Sequence, residues 1–174
     1  MKSLFLFLLI IGVSSCNAPK KVISGKNKKG HLIGLADKQS FQQAPFRSWF
    51  DTNFETYQPD SLTINTLKKE LTEIKIKGFI GTWCGDSQRE TPHFYKILEQ
   101  ADFNFNNLEL IAVNKSKKTP NNLQKGFRIK RVPTFIFFKN DKEIGRYVEF
   151  ARESLEKDML KIVSGKVYKH SYQK

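Results

Sequence analysis

The run Gly81-Thr82-Trp83-Cys84-Gly85-Asp86-Ser87, followed by Pro92, sets one thiol at a predicted strand-to-helix junction and a hydroxyl three residues after it. In a Cys-x-x-Cys pair the first thiolate attacks a disulfide and the second sulfur resolves the mixed disulfide. With Ser87 in the second position the attacking sulfur is kept and the resolving one is lost. Any turnover begun by Cys84 must then be finished by an outside thiol.

The other cysteine has a different context. Met1 and Lys2 make a short basic start, and Leu4 to Val13 is an apolar run of the length of a secretory h-region. It is too short to span a bilayer, which takes about 20 apolar residues. Its end, Val13-Ser14-Ser15-Cys16, resembles the lipobox of bacterial lipoproteins. That resemblance implies a signal peptide over 1–15 and Cys16 as the lipidated first residue of the mature chain; an ordinary secretory signal cleaved nearby is the alternative. Lipidation of Cys16 would leave Cys84 as the free thiol, with no intramolecular disulfide to form.

The chain carries a formal charge of +13, part of it concentrated in Lys20, Lys21, Lys26, Lys28 and Lys29 with no acid among them. Residues 16–30 are therefore expected to be a flexible basic tether, either solvated or lying against anionic headgroups. Nucleic acid is set aside as a partner, because no binding motif accompanies the charge. Metal and cofactors are not expected, since His31, His93 and His170 are scattered.

Around Cys84 the pattern predicts a folded α/β body. Hydrophobic content of 39% with 15 Phe suffices for one compact core. Pro45 followed by Phe46, Trp49, Phe50, Phe54 and Tyr57 has helical spacing, so 31–59 reads as an N-terminal helical extension. Pro59-Asp60-Ser61 opens a helix carrying Leu67, Leu71 and Ile74 on one face. A buried strand over 76–83, a helix from Cys84 to about Gln100 and a strand over 108–113 follow. Thr119-Pro120 opens another helix through about Phe127. Strands over 135–138 and 143–148 meet at Asn140-Asp141, a hairpin turn. A closing amphipathic helix over 153–163 ends a domain running from 60 to 165, and 166–174 reads as a frayed basic tail.

This order of elements is similar to the thioredoxin fold, and two motifs carry the resemblance. Trp83-Cys84-Gly85-Asp86-Ser87 resembles the thioredoxin active-site sequence, with Pro92 where that family kinks its helix. Lys125 to Asn140, containing Arg131-Val132-Pro133-Thr134, resembles the family's cis-proline loop entering a strand. The resemblance implies a central mixed sheet flanked by helices. It also implies a peptide groove made by Trp83, Gly85, Asp86, Arg131, Val132, Pro133 and Glu149, with Cys84 and Ser87 as the reactive positions. Cys84 at a helix N-terminus would be favoured as thiolate. Pro133, if cis, would leave the Val132 backbone facing Cys84 and able to pair with an extended substrate; a trans proline starting an edge strand is the alternative.

Departures from the family bear on mechanism. Gly78 stands six residues before the cysteine, where thioredoxins bury an aspartate for proton transfer, and Ala112 stands where its lysine partner falls. Asp86 replaces the usual proline and would oppose thiolate formation, an effect that a hydrogen bond from Ser87 to the sulfur would offset. Arg131 would add positive charge to the groove. Glu149 falls where the family tends to carry glycine, and is either a substitute base or a surface residue.

Two functions are expected from this reading. The first is a monomeric, lipid-anchored monothiol protein of the bacterial cell envelope, facing the extracytoplasmic, periplasmic side. It would act through Cys84 on disulfides or oxidised thiols of exported proteins. The second is a redox-inactive module that binds envelope proteins or peptides through the same groove.

Overall fold

The structure is a computed structural model describing residues 24–173. The expected signal peptide, Cys16, Lys20 and Lys21 lie outside the described residues. In chain order the elements are β1 (Ser24–Lys26), β2 (Leu32–Ala36), α1 (Phe46–Thr56), α2 (Ser61–Glu70), β3 (Ile74–Ile80), α3 (Gly85–Gln100), β4 (Leu108–Ala112), β5 (Thr134–Lys139), β6 (Lys142–Val148) and α4 (Leu155–Val163). They form a six-stranded mixed sheet in the order β1-β2-β4-β3-β5-β6. Strand β3 lies between a parallel neighbour, β4, and an antiparallel one, β5. Asn140 and Asp141, at φ 51 and 59, close the β5–β6 hairpin with the left-handed pair such a turn requires. Among the described residues no helix is long and apolar enough to cross a membrane.

The period of two along β3 decides what each face of the sheet buries. Ile74, Ile76 and Ile80 join one core cluster with buried residues of all four helices, among them Phe50, Leu67, Phe94 and Met159. Phe79, between them, joins Ile111, Val113, Val132 and Ile136 in a second cluster to which, among the described residues, no helix contributes. Helix α2 starts at Asp60, whose carboxylate accepts the Thr63 amide at 2.8 Å. The aromatic stripe of α1 is core, as expected: Phe50 stacks on Phe41 at 5.1 Å and on Phe54 at 6.1 Å.

Four sequence expectations change. Residues 24–26 of the expected tether pair with β2 and so belong to the sheet. The extension over 31–59 is not wholly helical, because Leu32–Ala36 adds to the sheet antiparallel to β4. Ile74 starts β3 and does not belong to the α2 face. The helix expected over 119–127 is replaced by turns. There the Thr119 hydroxyl accepts the Leu123 amide at 2.9 Å and Gln124 Oε1 accepts the Thr119 amide at 2.9 Å. Asn122, Gly126 and Arg128 take φ of 52, 88 and 53. Local side-chain bonds and left-handed residues outcompete the helix.

A polar network joins α3 to α4 and to the end of α1. Arg89 Nε bonds Glu90 Oε1 at 2.8 Å, and Glu90 Oε2 lies 3.9 Å from His93 Nδ1. The His93 ring stacks on Tyr57 at 3.9 Å, and the Tyr57 hydroxyl donates to Glu156. Burial, with the charge of Arg89 behind it, pushes His93 down to about 4, although Glu156 works the other way. Burial also raises the Glu90 carboxyl, with Arg89 opposing. Between about pH 6.5 and 4 the unfolded imidazole holds a proton that the folded one does not, so stability should fall as pH is lowered through that window. Glu90 contributes with the opposite sign. His93→Phe, which keeps a ring on Tyr57, should flatten the pH dependence of the urea midpoint in this window, and Glu90→Gln should steepen it. An unchanged slope in His93→Phe would assign the acid sensitivity to other groups.

Candidate functional site

Strand β3 ends in a tight turn that delivers Cys84 to the N-cap of α3. Gly81 provides the turn: its carbonyl accepts the Cys84 amide at 2.9 Å and its amide donates to Ser87 Oγ at 3.1 Å. Trp83 folds back over the same glycine, where a Cβ would lie 2.6 Å from the indole Cε2. The indole N–H donates to the Val113 carbonyl at 2.8 Å, fixing the ring as a wall beside Cys84. Lys117 Nζ stands 5.7 Å from its centroid. Behind the turn, the buried Thr82 hydroxyl accepts the Leu32 amide at 3.1 Å, tying β2 to the base of the site.

The facing wall is the loop before β5. The Val132–Pro133 bond is cis. The Val132 carbonyl accepts a hydrogen bond from the half-buried Cys84 thiol at 3.3 Å. Arg131, the residue before, is exposed and pairs through Nη1 with Glu149 Oε2 at 3.1 Å. The Glu149 amide donates to the Pro133 carbonyl at 2.8 Å, and Glu149 takes φ 67. A non-glycine residue there costs about 1–2 kcal/mol, so the carboxylate is installed at a conformational expense.

The structure therefore brings Cys84, Trp83 and Val132 together, with Pro133, Arg131 and Glu149 along one rim. It gives two residues of the motif other partners. Ser87 is 1% exposed and its Oγ accepts the Gly81 amide, so it supports the turn; among the described residues its side chain shows no hydrogen bond to Cys84. Asp86 is turned to Arg89, 2.9 Å from Nη2, so its charge is paired on the helix surface. The i,i+3 spacing of Asp86 and Arg89 is itself a sequence signal for this pair.

The tail expected to fray over 166–174 is instead laid along the rim in its described part. The Tyr168 hydroxyl donates to Asp158 Oδ2 at 3.0 Å, and Ser171 Oγ donates to the Phe150 carbonyl at 2.7 Å. The Tyr172 hydroxyl reaches Glu149, and the Arg131 guanidinium lies 3.9 Å from the Tyr172 ring centroid. The hydrogen bond to Glu149 raises the phenol, with smaller additions from the charges of Glu149 and Asp86. Tyr172 is a rim residue that periodicity could not find, because nothing in an isolated basic tail announces its partner.

Residues 61–161, more than half of the chain, match the Thioredoxin family. The chain belongs to the thioredoxin family. It is 28% identical to thioredoxin-like protein R548 of Acanthamoeba polyphaga mimivirus over 57% of this chain and 72% of that protein. It is 24% identical to thioredoxin H2 of Arabidopsis thaliana over 54% of this chain and 66% of the relative. A Pseudomonas aeruginosa protein of unknown function superposes with a TM-score of 0.52 at 16% identity, over 76% of this chain and 84% of its own, which is a likeness of fold alone. Within this thioredoxin fold, the place of the family's buried acid is closed: a Cβ at Gly78 would stand 2.6 Å from Leu110 Cδ1 and 3.2 Å from Phe135 Cδ1. Ala112, at the place of its lysine partner, is fully buried.

Gly81→Ala should displace the indole of Trp83 and cost about 1–3 kcal/mol, the usual range for overpacking. The expected signature is a lower thermal midpoint with altered tryptophan fluorescence. A variant of unchanged stability and emission would show that Trp83 does not depend on the bare Gly81 backbone.

Proposed function

We propose that this chain is a monothiol thioredoxin-like protein in which Cys84 exchanges with disulfides or oxidised thiols of exported proteins and an outside thiol completes the cycle. The observation that carries this reading is the position of the sulfur: Cys84 stands at the N-cap of α3, half-buried, with its thiol on the Val132 carbonyl of the cis-proline loop and Ser87 bonded to the Gly81 amide. In the first step Cys84 gives up its proton and its sulfur bonds to one sulfur of the client disulfide. The client S–S bond breaks, and the departing sulfur takes up a proton. An outside thiol then attacks the mixed disulfide; a bond forms between its sulfur and the client's, and Cys84 leaves and regains a proton. Electrons balance at each step, because every S–S bond broken is replaced by one formed.

Redox-inactive peptide binding in the same groove is the second reading, favoured by the absence of the buried acid and lysine at Gly78 and Ala112. Ser87→Cys discriminates between the two. The introduced thiol sits one turn inside α3, so an added oxidant should consume both thiols and leave a mass deficit of two hydrogen atoms. Insulin reductase activity should rise over the wild-type chain, yet stay below that of a dithiol thioredoxin that keeps its buried acid. A variant that forms the disulfide but gains no activity would favour the binding module, and Cys84→Ser supplies the baseline.

We further propose that Cys16 is lipidated and anchors the domain to an envelope membrane, on the strength of the h-region and Val13-Ser14-Ser15-Cys16. Cys16→Ala should move the protein from the membrane to the soluble envelope fraction with its folded domain intact. Because a single acyl chain binds marginally, stable anchoring implies more than one. Unchanged membrane retention of the variant would overturn the assignment.

A further inference from the structure

From Asn114 to Arg131 the chain carries seven cations and no acid. This is the segment that turns where a helix was expected, and its apolar residues face inward: Leu123, Phe127 and Ile129 pack on the second core cluster together with Trp83 and Cys84. Its cations consequently face out. Lys115, Lys118, Lys125, Arg128 and Lys130 are exposed and form no ion pair among the described residues, while Lys117 is half-buried beside Trp83. Elsewhere on the surface lysines are matched with acids, as in Lys38–Glu99, Lys68–Asp102, Lys75–Asp141 and Lys139–Glu73.

The segment is held in shape. Asn114 accepts the Lys117 amide through its carbonyl at 2.8 Å and the Lys118 amide through Oδ1 at 3.0 Å. Arg146 Nη1 donates to the Phe127 carbonyl at 2.9 Å. Fixed like charges that find no partner within the fold raise the local potential and draw in a charge-complementary one.

We infer that this basic crescent is a docking surface for acidic protein segments, so that the clients of Cys84 carry their disulfide next to Asp and Glu. The inference rests on the proposed exchange role of Cys84 and supplies its substrate class. The position of the charge favours a protein segment over a lipid surface. The crescent borders Trp83, Cys84 and the cis-proline loop, and a bilayer laid on it would cover the thiol that clients must reach.

The test uses the purified full chain and two synthetic peptides, each disulfide-linked to pyridine-2-thiol and identical except for Asp or Lys at the flanking positions. Exchange joins Cys84 to the peptide sulfur, breaks the peptide–pyridine disulfide and releases pyridine-2-thiol, with the proton balance made by the Cys84 thiol. At low salt the Asp peptide should react about tenfold faster than the Lys peptide, and the ratio should fall to within about twofold at 0.5 M salt, where the screening length shrinks to a few ångströms. Lys118→Glu with Lys125→Glu and Lys130→Glu should abolish or reverse the preference. Equal rates at low salt, or a preference that survives the triple reversal, would overturn the inference. Binding of the same peptides with serine in place of cysteine, followed by fluorescence polarisation, separates docking from chemistry. Salt-dependent binding of the Asp peptide without exchange would uphold the surface and defeat the role of Cys84. Binding to phosphatidylglycerol vesicles that the triple variant loses, alongside equal peptide rates, would give the surface to lipid instead.

Discussion

The 3.3 Å contact from the Cys84 thiol to the Val132 carbonyl joins two parts of the chain that the sheet alone brings together. One part is the start of α3, set by the end of β3; the other is the loop entering β5, the antiparallel neighbour of β3. The contact can exist only while β3 and β5 hold their register, Phe79 opposite Thr134 and Gly78 opposite Phe135. That register in turn requires the alternation that sends Ile76 and Ile80 to one core and Phe79 to the other, since a one-residue slip would reverse every side chain.

Around this contact the ionic groups of the groove are largely spoken for. Asp86 goes to Arg89, and Glu149 goes to Arg131 and Tyr172. These are exposed or half-exposed pairs, worth little to stability at the surface. Their effect is directional: they commit two carboxylates to named partners and fix the aromatic ring of Tyr172 along the rim. The left-handed backbone at Glu149 shows that the carboxylate is held against a conformational cost by the Pro133 hydrogen bond and the Arg131 pair. Its engagement with two partners fits a rim element better than a free general base.

Most of the fold could be read along the chain where one physical signal dominated. Asp60 with Thr63, the alternation through Phe79 and Ile80, and the left-handed pair Asn140-Asp141 each declare their structure locally. The pattern failed where tertiary partners decide. Leu32–Ala36 is a short apolar run that becomes a strand because β4 offers it an edge, and Thr119 to Phe127 has helical apolar spacing that side-chain bonds and Gly126 cancel. At the site the motif residues were identifiable, but the bonds of Ser87, Asp86 and Tyr172 depend on the shape of the turn and the path of the tail. Those bonds moved Ser87 from an expected partner of the sulfur to a support for Gly81.

The two substitutions in the interior of the site are physically coupled. An aspartate at Gly78 would meet Leu110 and Phe135, and with alanine at position 112 it would have no lysine there to pair with. An unpaired polar group buried there costs roughly 2–7 kcal/mol, and a charge costs more. Losing acid and base together is the cheaper arrangement, because either one alone strands a buried charge. With this pair gone, positions 78 and 112 hold no acid or base to protonate a departing sulfur. Leaving thiols of low intrinsic pKa depart faster without such help. In the exchange role proposed for Cys84, the chemistry would favour partners that bring their own activated sulfur, and the apolar packing around Gly78 would set that condition.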